Sequence, residues 1–139
     1  METSKREIYQ EIVLSHFRSP ARRGEIDARW TVYRQRNPLC GDIVELQMRH
    51  DRHEDALRLV HQAQGCAVSV ASCSILCERL DGMPLARAIE ETRGLLRAME
   101  GATEAEALLS FRGIEARRTC ALLAWRCAEN ALAGIMEST

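Results

Sequence analysis

The segment Pro38-Leu39-Cys40-Gly41-Asp42 puts a thiol and a carboxyl group two residues apart around a glycine. Both groups are anionic metal ligands once deprotonated, and the glycine lets the backbone turn tightly enough to aim them at one place. A hairpin turn with an incidental cysteine would read the same way. Cys66 follows Gly65 where a strand-like run hands over to a helical one. The free N–H groups and positive dipole end of a helix N-terminus favour a thiolate there, although a small buried hydrophobe fits the position too. Cys120 stands near the start of the last helical run, behind Arg117 and Arg118. Cations one turn away also favour thiolate, and the competing reading is a core position at the head of an apolar stripe.

The chain has six cysteines. The spacings contain no C-x-x-C pair, which removes zinc fingers and thioredoxin-type redox motifs. Cys73 and Cys77 fall on the same helical run as Cys66, but seven residues of helix span about 10.5 Å. One ion with Zn–S bonds of about 2.3 Å cannot hold both Cys66 and Cys73. Cys73 and Cys77, four apart, could chelate in principle, but core packing is the expected place for both and for Cys127, two turns beyond Cys120. His50 and His53 flank a polar turn, His16 lies on the first helical run and His61 in a strand-like run, all more consistent with structural than ligand roles. The sequence has no phosphate-cradling Gly-rich loop, Gly-x-Ser-x-Gly elbow or His-Glu-x-x-His motif.

Cys40, Asp42, Cys66 and Cys120 come from three separate segments, so only the fold can bring them together. If it does, they form a tetrahedral set of three thiolates and one carboxylate. Soft thiolates suit zinc or an iron–sulfur cluster, and the harder oxygen ligand is the natural position to open for exchange.

The elements that must position them follow from periodicity. Ser4 and Glu7 form a capping box before Ile8, Ile12, Val13 and Phe17, and Pro20 ends that helix. Strands are expected over roughly 29–36, 42–50 and 56–64; Val44, Leu46 and Met48 alternate with Glu45, Gln47 and Arg49 in the second. Short polar joins, including 51–55, make the three an antiparallel meander. Helices follow over about 66–80, from Pro84 to near Gly101, and over about 116–136. A second capping box, Thr103 with Glu106, opens a short helix that Gly113 interrupts. The expected fold is α+β: a three-stranded antiparallel sheet with helices packed around it, one domain over residues 1–139.

Composition limits the function classes. The chain has 139 residues, 46% hydrophobic and 28% charged, which suffices for one core and one domain. A net charge of −1 gives no electrostatic footprint for nucleic acid or a membrane surface. The longest uncharged stretch, 59–77, is too polar for a membrane span, and no secretory signal is legible. A cytoplasmic location, where thiols stay reduced, is expected.

Three motifs then resemble one family: Asn37-Pro38-Leu39-Cys40-Gly41-Asp42, Gly65-Cys66-Ala67-Val68-Ser69 and Arg117-Arg118-Thr119-Cys120-Ala121. In this order and spacing, with Ile8-Tyr9-Gln10-Glu11 and His16-Phe17-Arg18-Ser19-Pro20 before them, they are similar to the U-type iron–sulfur cluster assembly proteins. This is the IscU/SufU family, also found as the N-terminal domain of NifU. The resemblance implies a ligand set at Cys40, Asp42, Cys66 and Cys120 and a cysteine desulfurase as partner and sulfur donor. Cys120 or Cys66 would accept the persulfide, with Arg117 in support. The implied function is an assembly scaffold more than an enzyme, one that builds or passes on a labile [2Fe–2S] cluster to apo iron–sulfur acceptor proteins. The alternative is a zinc-dependent sulfurtransferase partner that activates the desulfurase and carries persulfide without assembling a cluster. The IscU branch has a His where this chain has Thr119, and a Leu-Pro-Pro-Val-Lys segment, read by a dedicated chaperone, where this chain has Ile114-Glu115-Ala116-Arg117-Arg118. With a longer stretch between Gly82 and Cys120, these differences resemble the SufU branch.

Overall fold

A computed structural model describes residues 5–21, 24, 31–37, 41–100 and 118–137. Three strands, β1 (Thr31–Arg36), β2 (Ile43–Asp51) and β3 (Ala56–Gln64), form an antiparallel sheet in the order β1-β2-β3. The second and third strands fall where the alternating pattern puts them, β2 shifted by one residue. Asp51 makes the turn between them, its Oδ1 accepting the amides of His53 and Glu54 at 3.0 and 3.2 Å. Asp55 takes the left-handed conformation at φ 49°, which the short polar side chain of an Asp tolerates.

Period-two alternation divides the sheet into unlike faces. Val44, Leu46 and Met48 of β2 stand opposite Ala63, His61 and Leu59 of β3, and all six are buried. Helix α2 (Ala67–Leu80) covers this face over β3, and α4 (Arg118–Glu137) covers it over β1 and β2. Helix α1 (Lys5–Arg18) packs on α2, and α3 (Leu85–Glu100) packs on α4. The opposite face carries ionic and polar residues, among them the Arg34–Glu45 cross-strand pair at 3.0 Å.

The core runs between the sheet and the two covering helices. Leu57, Leu59, Leu76 and Leu80 are fully buried, with Leu123, Ala124 and Ala128 of α4 against them. Each fully buried Leu contributes about 1.5–3 kcal/mol over its exposed state. Cys73, Cys77 and Cys127 all lie in this core, as the sequence reading expects. Burial, then a hydrogen bond with Cys77, pushes the Cys73 thiol well above its ordinary pKa. Burial likewise pushes Cys127 up to about 12.

Two histidines prove structural. His61 Nε2 donates to the Ala21 carbonyl at 2.8 Å. The Ala21 amide in turn donates to Ser74 Oγ at 2.6 Å, and the Ser74 hydroxyl sits 2.8 Å from His16 Nδ1. This chain of bonds straps the end of α1 onto α2 and β3. Gly82, at φ 86°, and Pro84 separate α2 from α3; the Ala88 amide bonds the Pro84 carbonyl, so Pro84 stands just before the helix instead of within its first turn. The first capping residue Ser4, the second capping box and the short helix expected around it lie outside the described residues. Among the described residues, no helix is long and apolar enough to cross a membrane.

Candidate metal centre

The β3–α2 junction places the first candidate ligand. Helix α2 begins at Ala67, with Cys66 as its N-cap in extended conformation and without a side-chain cap of its own. The helix expected from Cys66 starts one residue later, which leaves the Cys66 thiol at the helix mouth. Gly65, at φ 141°, lies in a region that disfavours side chains, and a Cβ there would collide with the Asp42 carboxylate. A glycine is needed for backbone and carboxylate to approach this closely.

Asp42 supplies the cap that α2 lacks. Its Oδ1 accepts the Cys66 backbone N–H at 3.2 Å, and its Oδ2 accepts the Ser69 hydroxyl at 2.7 Å. The carboxylate thereby satisfies the N-cap amide and meets the positive end of the helix dipole. Asp42 is 3% exposed, so these bonds form away from bulk water. The Cys66 thiol also donates to Asp42 Oδ2 at 3.2 Å.

The β1–β2 connection aims Asp42. The Asn37 amide donates to the Asp42 carbonyl at 2.9 Å, and the Gly41 amide donates to the Asn37 carbonyl at 2.8 Å. Gly41 has φ 74°, a conformation that an L side chain would strain. Helix α4 brings the third group. Cys120, 4% exposed, sits in its first turn, and its carbonyl accepts from Ser69 Oγ at 3.5 Å. The Asn37 side-chain amide reaches Cys120 Sγ at 3.7 Å.

One ligand atom each from Asp42, Cys66 and Cys120 lie within 4.8 Å of one another. Among the described residues, this is the one His/Cys/Asp/Glu group close enough to share an ion. Two thiolates on one tetrahedral zinc lie about 3.8 Å apart, given Zn–S bonds of about 2.3 Å. The observed limit of 4.8 Å lies about 1 Å above that separation. Two sulfurs and a carboxylate oxygen suit zinc or the iron of a cluster better than magnesium or calcium, which prefer oxygen throughout. The donor set fits the implied group.

Of the residues singled out from sequence, Asp42, Cys66 and Cys120 converge. Cys40 and Arg117 lie outside the described residues. Asn37 and Ser69 carry no role assigned from the sequence, yet Asn37 bonds Cys120 and Ser69 bonds Asp42. Ser69 had a local signal, a hydroxyl in the first turn of a helix that follows Gly-Cys.

Comparison with known proteins agrees with this geometry. A family model described as the NifU-like N terminal domain matches residues 8–136. The zinc-dependent sulfurtransferase SufU of Bacillus subtilis is 27% identical over 136 residues, covering 91% of this chain and 90% of the relative. The iron–sulfur cluster assembly scaffold protein IscU of Thermotoga maritima is 29% identical over 134 residues, covering 90% and 92%. The crystal structure of a candidate iron–sulfur cluster assembly scaffold protein for the SUF system, from Fervidobacterium islandicum AW-1, superposes with a TM-score of 0.74 at 25% identity. It covers 93% of this chain and 99% of that one.

Proposed function

The chain belongs to the NifU-like N-terminal domain family, and on that premise we propose that it serves iron–sulfur cluster assembly. It accepts sulfur from a cysteine desulfurase and builds or passes on a labile [2Fe–2S] cluster, its cargo, to apo acceptor proteins. The observation that carries this reading is the meeting of Asp42, Cys66 and Cys120 ligand atoms within 4.8 Å. Cys40, two residues before Asp42, completes the proposed set of three sulfurs and one oxygen.

The residues divide the work by chemistry. Of the two thiols at the site, Cys66 is half-buried and the more accessible, and Cys120 is buried. Sulfur arrives when a thiolate of this chain attacks the terminal sulfur of the desulfurase persulfide. One S–S bond forms, one breaks, and the desulfurase cysteine leaves as thiolate, with no net oxidation. Cys120 or Cys66 is the acceptor, with Arg117 in support. Asp42 holds its place through the α2 amide and Ser69. As a hard ligand among soft ones, it is the arm that opens most readily.

A second reading rests on the 27% identity with the zinc-dependent sulfurtransferase SufU over 91% of this chain. There the same four residues hold zinc, which when bound keeps the thiolates deprotonated, and the protein relays persulfide without assembling a cluster. Thr119, in place of the His of the IscU branch, favours this branch.

Metal analysis of freshly purified protein and anaerobic reconstitution with iron and sulfide separate the two. Visible charge-transfer absorption and transfer of the cluster to an apo acceptor support the scaffold. Stoichiometric zinc, with desulfurase stimulation that chelation abolishes, supports the sulfurtransferase. A protein that holds neither overturns both.

A further inference from the structure

Asn37 is 2% exposed and makes two kinds of contact at once. Its backbone closes the β1–β2 connection: its N–H donates to the Asp42 carbonyl and its carbonyl accepts from Gly41. Its side chain leaves that connection and donates an N–H to Cys120 Sγ at 3.7 Å, across 83 residues of sequence. One residue thus ties the segment that bears Cys40 and Asp42 to the helix that bears Cys120.

We propose that Asn37 is a positioning residue for the metal site, orienting the Cys120 sulfur and drawing charge from it through an N–H···S hydrogen bond. The inference rests on the metal-site reading above. A carboxamide suits the task for three reasons. Its N–H is directional, so the sulfur is held on one side and presents its remaining lone pairs toward Asp42 and Cys66. It is neutral, so it lowers the charge density of a thiolate without cancelling it as a cation would. It also has no proton to lose near neutral pH, so the contact persists through cycles of ligand loading and release. Outer partners of this kind fix the orientation of metal ligands and tune their donor strength.

Neither Asn37 nor its backbone bonds need be read as a ligand. The two main-chain bonds of the turn do not use the side chain, so Asn37→Ala keeps them while removing the amide that bonds Cys120. That separation makes the proposal testable by a double-mutant cycle. Cobalt(II) alone is the probe, titrated anaerobically into the wild-type chain, Asn37→Ala, Cys120→Ala and the double variant, with a thermal melt for each. In the wild-type background, Asn37→Ala is expected to weaken cobalt binding about tenfold. It should also move the sulfur-to-cobalt charge-transfer band to longer wavelength, because the sulfur regains charge. In the Cys120→Ala background the same substitution should change affinity by less than about twofold, the coupling having lost its partner, and leave the band in place. Equal losses in both backgrounds, or an unmoved band in the first, would overturn the proposal while leaving the metal site intact. A wild-type chain that binds no cobalt would sink the metal-site reading and the inference together.

A measurement without substitution guards against a misfolded variant. On loading the wild-type chain with cadmium(II), the Asn37 side-chain amide protons should shift downfield. Those of Asn130, whose amide bonds Gln35 Oε1 at 3.3 Å, should stay and serve as the internal reference. An Asn37 resonance as indifferent as that of Asn130 would overturn the proposal.

Discussion

Cys66 caps α2 and Cys73 stands seven residues further along it, and Cys120 and Cys127 stand seven apart on α4. Two turns of helix, about 10.5 Å, separate the members of each pair. The same residue on the same two helices thus occupies two layers. In the outer layer, Cys66 and Cys120 meet Asp42, an asparagine amide and a helix N-terminus. In the inner layer, Cys73 and Cys127 meet Cys77 and the apolar core. Burial pushes both inner thiols up, Cys127 to about 12. The lesson is that helical periodicity repeats a cysteine but does not repeat its chemistry. The strand break between β1 and β2 supplies the Asp42 carboxylate and the Asn37 amide, and both meet the outer layer.

The largest expected contrast is in metal affinity. Structural zinc contributes roughly 10–16 kcal/mol spread over its ligands, so removing one ligand costs about a hundred- to a thousandfold in binding. Cys66→Ala should lose that much in competition titration with a zinc chelator. Cys73→Ala should bind zinc as the wild type does and instead lose about 1 kcal/mol of folding stability in urea. Comparable affinity losses would erase the distinction between the layers.

Gly65→Ala attacks the outer layer through its backbone. The new Cβ meets the Asp42 carboxylate at a φ of 141°, so backbone strain of about 1–3 kcal/mol adds to a displaced ligand. Lower zinc affinity and a lower melting temperature are expected together. A variant as stable and as tight as wild type would show that the close approach to Asp42 is not needed.

The inner layer should announce itself in alkali. Unfolded thiols titrate near the ordinary value of 9.0, whereas native Cys127 titrates near 12. The native state therefore holds protons that the unfolded state releases. The stability it contributes is full below about pH 9 and is lost as pH rises toward 12. Cys73 acts in the same direction. The slope from each thiol is at most about 1.4 kcal/mol per pH unit. Urea melts at pH 8 and pH 10 should show a smaller drop for Cys127→Ala than for wild type. In native protein at pH 8, alkylation should reach Cys66 well before Cys73 or Cys127.

The smallest effect belongs to neither layer. Arg34 pairs with Glu45 across β1 and β2 on the opposite sheet face, with the arginine side chain 65% exposed. Arg34→Ala should change stability by no more than about 0.5 kcal/mol and leave zinc affinity alone. A change in metal binding here would mean that the two faces of the sheet are coupled.

Much of this arrangement can be read without coordinates, for physical reasons. Alternation in Val44, Leu46 and Met48 is local, so β2 and its core face are legible. The Gly65-Cys66 junction is local too, and the helix start falls within one residue of its sequence position. The buried character of Cys73, Cys77 and Cys127 follows from helical spacing. The roles of Asn37 and Ser69 are not local. Asn37 reaches a sulfur 83 residues away, and Ser69 reaches a carboxylate 27 residues before it. No periodicity encodes such contacts; only the closure of the sheet against α2 and α4 creates them. Likewise, Asp42 reads as a ligand in the sequence, but its service as the cap of α2 depends on a backbone amide that only the fold delivers.

X-ray absorption at the zinc edge of the loaded wild-type protein tests the central claim most directly, because it counts sulfur and oxygen neighbours around the ion. Convergence of Cys40, Cys66, Cys120 and Asp42 predicts three sulfurs at about 2.3 Å and one oxygen at about 2.0–2.2 Å. It also predicts the loss of one sulfur in Cys66→Ala. A shell of light atoms alone, or a sulfur count unchanged by that substitution, would contradict it.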